Sequence, residues 1–107
     1  MLIFTLKKEW YEKIKSGEKT IEYREVKPYW TRRLNLKSGL DEVFLSLLKA
    51  KGGESCNIPC RLRLGYTNKY MTANVVKIEI VDGSNTDLHI DKPVYAIHLA
   101  DVRETDK

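Results

Sequence analysis

Three charged side chains lie close together just after the first expected helix. Lys19, Glu22 and Arg24 fall within six residues of a segment that is typical of a strand. Side chains alternate between the two faces of a strand, so if Ile21 and Tyr23 face a core, the charges gather on the opposite face. A shielded lysine beside a carboxylate can act as a base or nucleophile, and arginine can hold a planar anion with two hydrogen bonds. The spacing predicts a cleft for a nucleobase or a phosphate; the alternative is an exposed strand face whose charges pair with one another.

A second cluster combines basic and aromatic residues a few positions further on. It consists of Lys27, Tyr29, Trp30, Arg32 and Arg33. Aromatic faces stack on unpaired bases while neighbouring cations hold the backbone, so the cluster predicts a rim that binds single-stranded nucleic acid. Trp30 has an alternative role, because a large aromatic side chain can instead plug the end of a small barrel.

The positive charge of the chain is concentrated near its beginning. The net charge is +4, but residues 1–37 contain ten Lys and Arg against five Asp and Glu, whereas residues 38–107 contain nine against ten. Such asymmetry favours a phosphate-bearing partner through electrostatic steering and counterion release. The alternative is a lysine-rich helix whose charges are simply solvated.

The cysteines and histidines do not form a metal-binding pattern. Cys56 and Cys60 are close in sequence, but His89 and His98 lie far along the chain without the paired spacing that metal motifs have. We expect no metal and no cofactor, two cysteines in the core or in a loop, and a structural role for His98.

Hydrophobic periodicity predicts the elements that position these residues. Expected strands cover 1–6, 19–25, 58–64, 70–81 and 93–100, and expected helices cover 7–16, 27–34 and 40–51, with a loop at 54–57, irregular chain at 85–92 and a fraying tail at 101–107. The order predicts one α+β domain over 1–107, a small and mostly antiparallel β-barrel with appended helices. The apolar residues of 40–48 leave open a third possibility, a patch that binds a protein partner.

Length and hydropathy set the expected environment of the chain. Its 107 residues are near the usual size of one domain, and we find no apolar run long enough for a membrane span or a signal peptide. The sequence therefore predicts a soluble protein of the cytoplasm with no membrane partner.

The residues from Leu6 to Arg24, followed by the run Lys27-Pro28-Tyr29-Trp30 and the later step Gly65-Tyr66, resemble the ASCH domain family. The resemblance covers the first 30 or so residues most closely. It implies a β-barrel related to the PUA domain and an RNA-related role.

The same resemblance raises a catalytic alternative. Some bacterial ASCH proteins are amidohydrolases that remove the acetyl group of N4-acetylcytidine with a lysine, a threonine and a later glutamate. By resemblance Lys19 matches the lysine, Glu22 occupies the threonine position, and Glu79 is a candidate for the later glutamate. Because a carboxylate cannot replace a hydroxyl nucleophile in acyl transfer, we expect binding of RNA or a modified nucleoside ahead of hydrolysis. The alternative is a nucleoside amidohydrolase, or another hydrolase of nucleic acids, in which Lys19 and Glu22 form an acid–base pair.

Overall fold

The computed structural model describes residues 2–38 and 53–105, which form five strands and two helices. In chain order these are β1 (Leu2–Leu6), α1 (Lys8–Lys15), β2 (Ile21–Glu25), α2 (Pro28–Ser38), β3 (Glu54–Leu64), β4 (Tyr70–Asp82) and β5 (Pro93–Glu104), with a short 3-10 turn at Gly83–Asn85. The helix predicted over 40–51, and with it the apolar patch over 40–48, lies outside the described residues.

The five strands form one mixed sheet in the order β1-β3-β4-β5-β2. β1 runs parallel to β3, while the other three pairings within the described strands are antiparallel. The sheet curls into a half-barrel whose two edges are β1 and β2. The α+β prediction is confirmed and the barrel prediction holds in part. We call the space between the edge strands the seam.

The core lies between the inner face of the curled sheet and the two helices. On β1, Leu2, Phe4 and Leu6 are buried and alternate with partly buried residues, as a strand with one inward face requires. Helix α1 adds Tyr11 and Ile14 to the same apolar cluster. The inner side of the sheet is therefore apolar along β1, and polar side chains on this side need a specific explanation.

Helix α1 ends, and helix α2 begins, where the sequence indicates a boundary. Gly17 follows α1 at a φ of +86°, and its N–H donates to the carbonyl oxygen of Ile14 at 3.1 Å. Pro28 occupies the first position of α2, where its missing N–H costs nothing. Helix α2 continues to Ser38, beyond the predicted end at residue 34. Within the described chain, neither helix has the length and apolar content needed to cross a lipid bilayer.

Two strands are longer than their sequence patterns predict. β3 begins at Glu54, in the predicted loop, and its pairing with β4 shifts register between Ser55 and Ile58. β5 continues to Glu104, through Asp101 at a φ of +53° and a register shift with β4. A bulge breaks the alternation of apolar and polar residues while pairing continues, so the pattern ends before the strand does.

Candidate functional site

Strand β2 turns its charged face toward the inside of the half-barrel. Glu22 pairs directly with Ile97 of the core, and directly opposed residues of an antiparallel pair share a face. Glu22 is 6% exposed, whereas Ile21 and Tyr23 are only partly buried. The prediction that Glu22 and Arg24 share a face is confirmed. The prediction that this is the face away from the core is wrong, because the open seam leaves room for polar side chains on the inner side of an edge strand.

Arg24 bridges the seam from one edge strand to the other. Its Nη2 lies 2.8 Å from Oε2 of Glu22 and donates at 3.0 Å to the backbone oxygen of Thr5 on β1. Its guanidinium carbon lies 5.4 Å from the ring centre of Phe4 and 5.0 Å from that of Trp30. The planar group is thus fixed by hydrogen bonds at its edge and by aromatic rings at its faces.

Glu22 has a raised pKa despite its two cationic neighbours. Burial removes the carboxylate from water and raises the pKa above its ordinary value, and this outweighs the opposing effects of Arg24 and Lys19. Nζ of Lys19 lies 3.8 Å from Oε1 of Glu22. The Glu22 carboxyl group therefore holds a proton more readily than an exposed glutamate does, and it does so beside the cations of Arg24 and Lys19.

Lys19 is almost enclosed on the other side of Glu22. Its side chain is 10% exposed and ion-pairs with Asp87 as well as with Glu22. The ammonium group lies 5.1 Å from the ring centre of Trp10 and 5.0 Å from that of Tyr23. Two carboxylates and two aromatic rings thus hold this lysine in one place.

A cavity of about 380 Å³ opens at the seam beside Arg24. It is within the usual size range of small-molecule sites. Both edge strands, both helices and the loop before β5 contribute to its wall, and the residues used below are Trp10, Glu22, Arg24, Lys27, Trp30 and Leu88. We call it the seam cavity. Its wall combines flat aromatic surfaces, apolar side chains and charges of both signs.

A second hollow of about 420 Å³ lies next to the seam cavity. Trp10 and Tyr23 belong to both linings, while Lys19 and Asp87 belong only to the second. The three predicted charges therefore meet in one ion-paired cluster but do not line one cleft. Glu22 and Arg24 line the seam cavity, and Lys19 lines the neighbouring hollow.

Trp30 combines the two roles that the sequence left open. It stacks on Phe4 of the core, with ring centres 5.2 Å apart and planes 18° apart. It is only partly buried and lines the seam cavity. One face of the indole thus packs on the apolar cluster while the side chain forms part of the cavity wall.

The rest of the basic and aromatic cluster is divided by the geometry of α2. Lys27 lines the seam cavity and pairs with Glu25 at 3.2 Å. Arg33 lies 4.4 Å from the ring centre of Tyr29, and these two residues are exposed, as is Arg32. Since α2 turns Tyr29, Arg32 and Arg33 toward solvent and not into the cavity lining, the predicted continuous rim is shorter than the sequence indicates.

Sequence reasoning missed three residues of the site, Trp10, Asp87 and Leu88. The four-residue spacing of Leu6, Trp10 and Ile14 predicts that Trp10 lies in the helical stripe that faces the core. In the structure Tyr11 and Ile14 are the fully buried residues of α1, and Trp10 is turned toward the seam. Asp87 falls in the stretch expected to be irregular, and its contact with Lys19 joins positions far apart in the chain. Lys13, one helical turn after Trp10 and 5.2 Å from its ring centre, could have suggested Trp10; no local signal indicates Asp87 or Leu88.

The residue matched to the later glutamate lies elsewhere. Oε1 of Glu79 is 2.6 Å from Nε2 of His98 across the β4–β5 pairing, and the carboxylates bound to Lys19 are those of Glu22 and Asp87. His98 thus has a side-chain partner, as expected of a structural histidine.

The described residues contain no group of three or more His, Cys, Asp or Glu side chains that could hold a metal ion. Cys60 is buried in the core, where desolvation raises its pKa to about 12. Burial, reinforced by Glu54, also raises the pKa of the Cys56 thiol, whose Sγ–H donates to Val75 O at 3.5 Å. Both thiols are therefore poor nucleophiles at neutral pH.

No model of a known protein family, no curated protein and no solved structure matches this chain. The resemblance to ASCH domains therefore stays a prediction from the sequence.

Proposed function

We propose that this protein binds RNA or a modified nucleoside and holds one base in the seam cavity. The observation that supports this most is the Arg24–Glu22 ion pair beside the ring of Trp30 in a cavity of about 380 Å³. Single-stranded RNA is recognised by aromatic stacking combined with hydrogen bonds to base edges. The cavity offers both kinds of group on one wall.

Each side of the cavity suits a different part of a nucleotide. Trp10 and Trp30 supply flat apolar surface for the base. Glu22 and Arg24 supply an acceptor and donors whose positions are fixed by their own hydrogen bonds. Lys27 is exposed at the cavity and can contact a phosphate.

Two features of the sequence agree with this proposal. The excess of Lys and Arg falls within residues 1–37, which supply most of the cavity wall. The resemblance of the Leu6–Arg24 segment to ASCH domains implies a PUA-like architecture and an RNA-related role. The PUA-like architecture and the RNA-related role are thus parts of what we propose.

The proposal is tested by titration calorimetry with the four ribonucleosides, N4-acetylcytidine and a single-stranded RNA octamer. Arg24→Lys keeps a cation beside Glu22 but removes the planar fork, so the affinity for the bound nucleoside should fall roughly tenfold or more. Arg32→Lys is the matched control on the exposed side of α2 and should leave nucleoside affinity unchanged. Equal affinities of wild type and Arg24→Lys, with folding verified by circular dichroism, would remove the seam cavity from the account.

Hydrolysis is the second candidate, favoured by one observation. Lys19 and Glu22 lie 3.8 Å apart with side chains 10% and 8% exposed, and the pKa of Glu22 is raised by burial. Such a pair could transfer a proton to a substrate. Release of acetate from N4-acetylcytidine is monitored by chromatography. Release that is lost in Lys19→Met would make hydrolysis the better-supported function, whereas saturable binding without turnover would support binding.

A further inference from the structure

The outer face of the sheet presents a second basic and aromatic surface. On β3, Arg63 pairs with Thr5 of β1 and with Tyr70 of β4. Arg61, also on β3, pairs with Ile3 of β1 and with Thr72 of β4. Thr72 in turn pairs with Arg103 of β5. Directly paired residues share a face, so these side chains lie together on the side away from the core. We call Arg61, Arg63, Arg103, Tyr66 and Tyr70 the outer arginine surface.

The arginines of this surface are positioned by rings and backbone. The guanidinium carbon of Arg61 lies 4.6 Å from the ring centre of Tyr70, and that of Arg63 lies 5.8 Å from the ring centre of Tyr66. Nε of Arg63 also donates to the backbone oxygen of Thr67 at 3.2 Å. The side chains are therefore partly ordered before any partner binds, which lowers the entropic cost of binding.

The charges of this surface are not neutralised locally. Over residues 2–38 and 53–105, none of the three arginines forms an ion pair with a carboxylate. By contrast, Lys19 before β2 and Arg24 on β2 both have carboxylate partners within 4 Å. Three arginines without carboxylate partners on one face attract a polyanion more strongly than three paired ones.

The surface is open to solvent and contains a shallow hollow. Arg61 and Arg103 are exposed, and Tyr66 is 88% exposed at the turn between β3 and β4. A hollow of about 300 Å³ lies beside Arg103, with Thr72 and Asp101 in its wall. Among the described residues of its wall, Asp101 is the one acidic group, and it is 3.4 Å from the side-chain amide of Asn74.

The outer arginine surface continues directly from the seam. Thr5 lines the seam cavity and pairs with Arg63 on the next strand. Neighbouring strands are about 4.8 Å apart, so Arg63 lies roughly 5 Å and Arg103 roughly 15 Å from β1 along the sheet. A flexible chain that leaves the cavity over β1 therefore reaches the arginines in order, from Arg63 to Arg103.

We propose that the ligand is single-stranded RNA several nucleotides long, whose chain leaves the seam cavity and crosses the outer arginine surface. Arg63, Arg61 and Arg103 bind successive phosphates, and Tyr66 stacks on a base. This inference rests on the proposed function, since it takes the seam cavity as the site of the first base. It assigns a polynucleotide as the ligand class in place of a free nucleoside.

The test compares two triple variants with equal loss of charge. Arg61→Gln/Arg63→Gln/Arg103→Gln removes the outer arginines, and Lys8→Gln/Lys15→Gln/Lys92→Gln removes three cations from other parts of the surface. Affinity for an RNA decamer is measured from 50 to 300 mM salt, beside affinity for the nucleoside. Each phosphate contact with a single strand contributes about 0.7 to the slope of log K against log salt. Loss of three contacts in the arginine variant should therefore reduce the magnitude of this slope by about 2. The lysine variant should leave this slope near the wild-type value.

A single substitution keeps the test independent of folding. Tyr66→Ala changes an exposed turn residue and should weaken decamer binding roughly tenfold without changing nucleoside affinity. The inference fails, while the seam cavity stands, if two results are found together. Tyr66→Ala binds the decamer as tightly as wild type, and the arginine variant has the same salt slope as the lysine variant. If the decamer depends on the arginines but Arg24→Lys does not change its affinity, the seam cavity fails as the site of the base instead. Equally tight, arginine-dependent binding of polyglutamate would replace RNA with an acidic peptide as the partner.

Discussion

At the scale of single residues, Glu22 is the most unusual side chain of the site. It places a carboxylate on the inner face of β2, and Arg24 and Lys19 provide the compensating charges at 2.8 and 3.8 Å. Removing one partner of a buried ion pair leaves an uncompensated charge and costs about 3 to 5 kcal/mol. Substitutions that keep a hydrogen-bonding group, such as Arg24→Lys, therefore test binding better than substitutions to alanine.

The raised pKa of Glu22 makes a prediction about stability and pH. The folded protein binds this proton more tightly than the unfolded chain, so the free energy of unfolding falls as pH rises from about 4.5 through the raised folded-state pKa. Glu22→Gln has no such titration. The stability of wild type relative to Glu22→Gln, measured by urea unfolding from pH 3 to 8, should be greatest at the acid end of this window.

Glu104 provides a control of opposite sign. Its hydrogen bond with Lys15, above all, lowers its pKa, so its contribution to stability is lost as pH falls below 4.5. Wild type relative to Glu104→Gln should therefore gain stability as pH rises toward 4.5. A Glu22 profile with the same sign as the Glu104 profile would mean that burial does not dominate at Glu22.

The sequence could predict which residues of β2 share a face, but not which face is buried. Alternation alone groups Glu22 with Arg24. Ile21 and Tyr23 are the apolar pair, so hydrophobicity assigns the core to the wrong side. Which face of β2 is turned inward depends on the rings of Phe4 and Trp30 around Arg24. These rings come from other elements, so a local sequence pattern does not indicate them.

At the scale of elements, the loop between β4 and β5 brings Asp87 and Leu88 to the site. Its base is held by Gly83, whose N–H donates to Lys92 O at 2.8 Å and whose carbonyl accepts from the Thr86 hydroxyl at 2.8 Å. A Cβ at Gly83 would lie 2.6 Å from the backbone oxygen of Lys92. Close backbone approach therefore fixes the loop over Lys19.

Gly83→Ala should force this loop away from the sheet. We expect a loss of about 1 to 3 kcal/mol in the free energy of unfolding, as in other overpacked sites, and weaker nucleoside binding because Asp87 and Leu88 move. Urea unfolding and calorimetry measure the two effects.

Gly65→Ala is the matched control for this loop. Gly65 has a φ of +54° in the β3–β4 turn, and no atom of the described residues outside its chain neighbours lies within 4 Å of an added Cβ, so the variant should cost about 1 kcal/mol through backbone strain alone. Its nucleoside affinity should equal that of wild type. If Gly83→Ala behaved in the same way, the loop would have no part in the site.

Elements with clear periodicity and clear ends could be predicted, and those shaped by pairing could not. Helix α1 ends at Gly17 as expected, because a left-handed residue after a helix has a local signature. The start of β3 at Glu54 and the end of β5 at Glu104 depend on bulges that only the partner strand defines. The role of Asp87 depends on the same kind of long-range pairing.

At the scale of the whole molecule, the site exists because the sheet is a half-barrel. β1 and β2 are its edge strands, and unpaired strand edges need to be covered. Here Arg24 of β2 donates to Thr5 of β1, and side chains of α1 and α2 cover the remaining space. A fully closed barrel would have no seam, so the cavity could not be predicted from a sequence pattern that indicated a barrel.

The central claim is that the seam cavity holds a base, and the two tryptophans of the chain provide the most direct test. Trp10 and Trp30 both line the cavity, so both indole N–H signals of a proton–nitrogen NMR spectrum come from its wall. When nucleoside or RNA octamer is added, both signals should shift and saturate together, and Arg24→Lys should need a higher ligand concentration. Saturable RNA binding that leaves both indole signals unmoved would contradict the account.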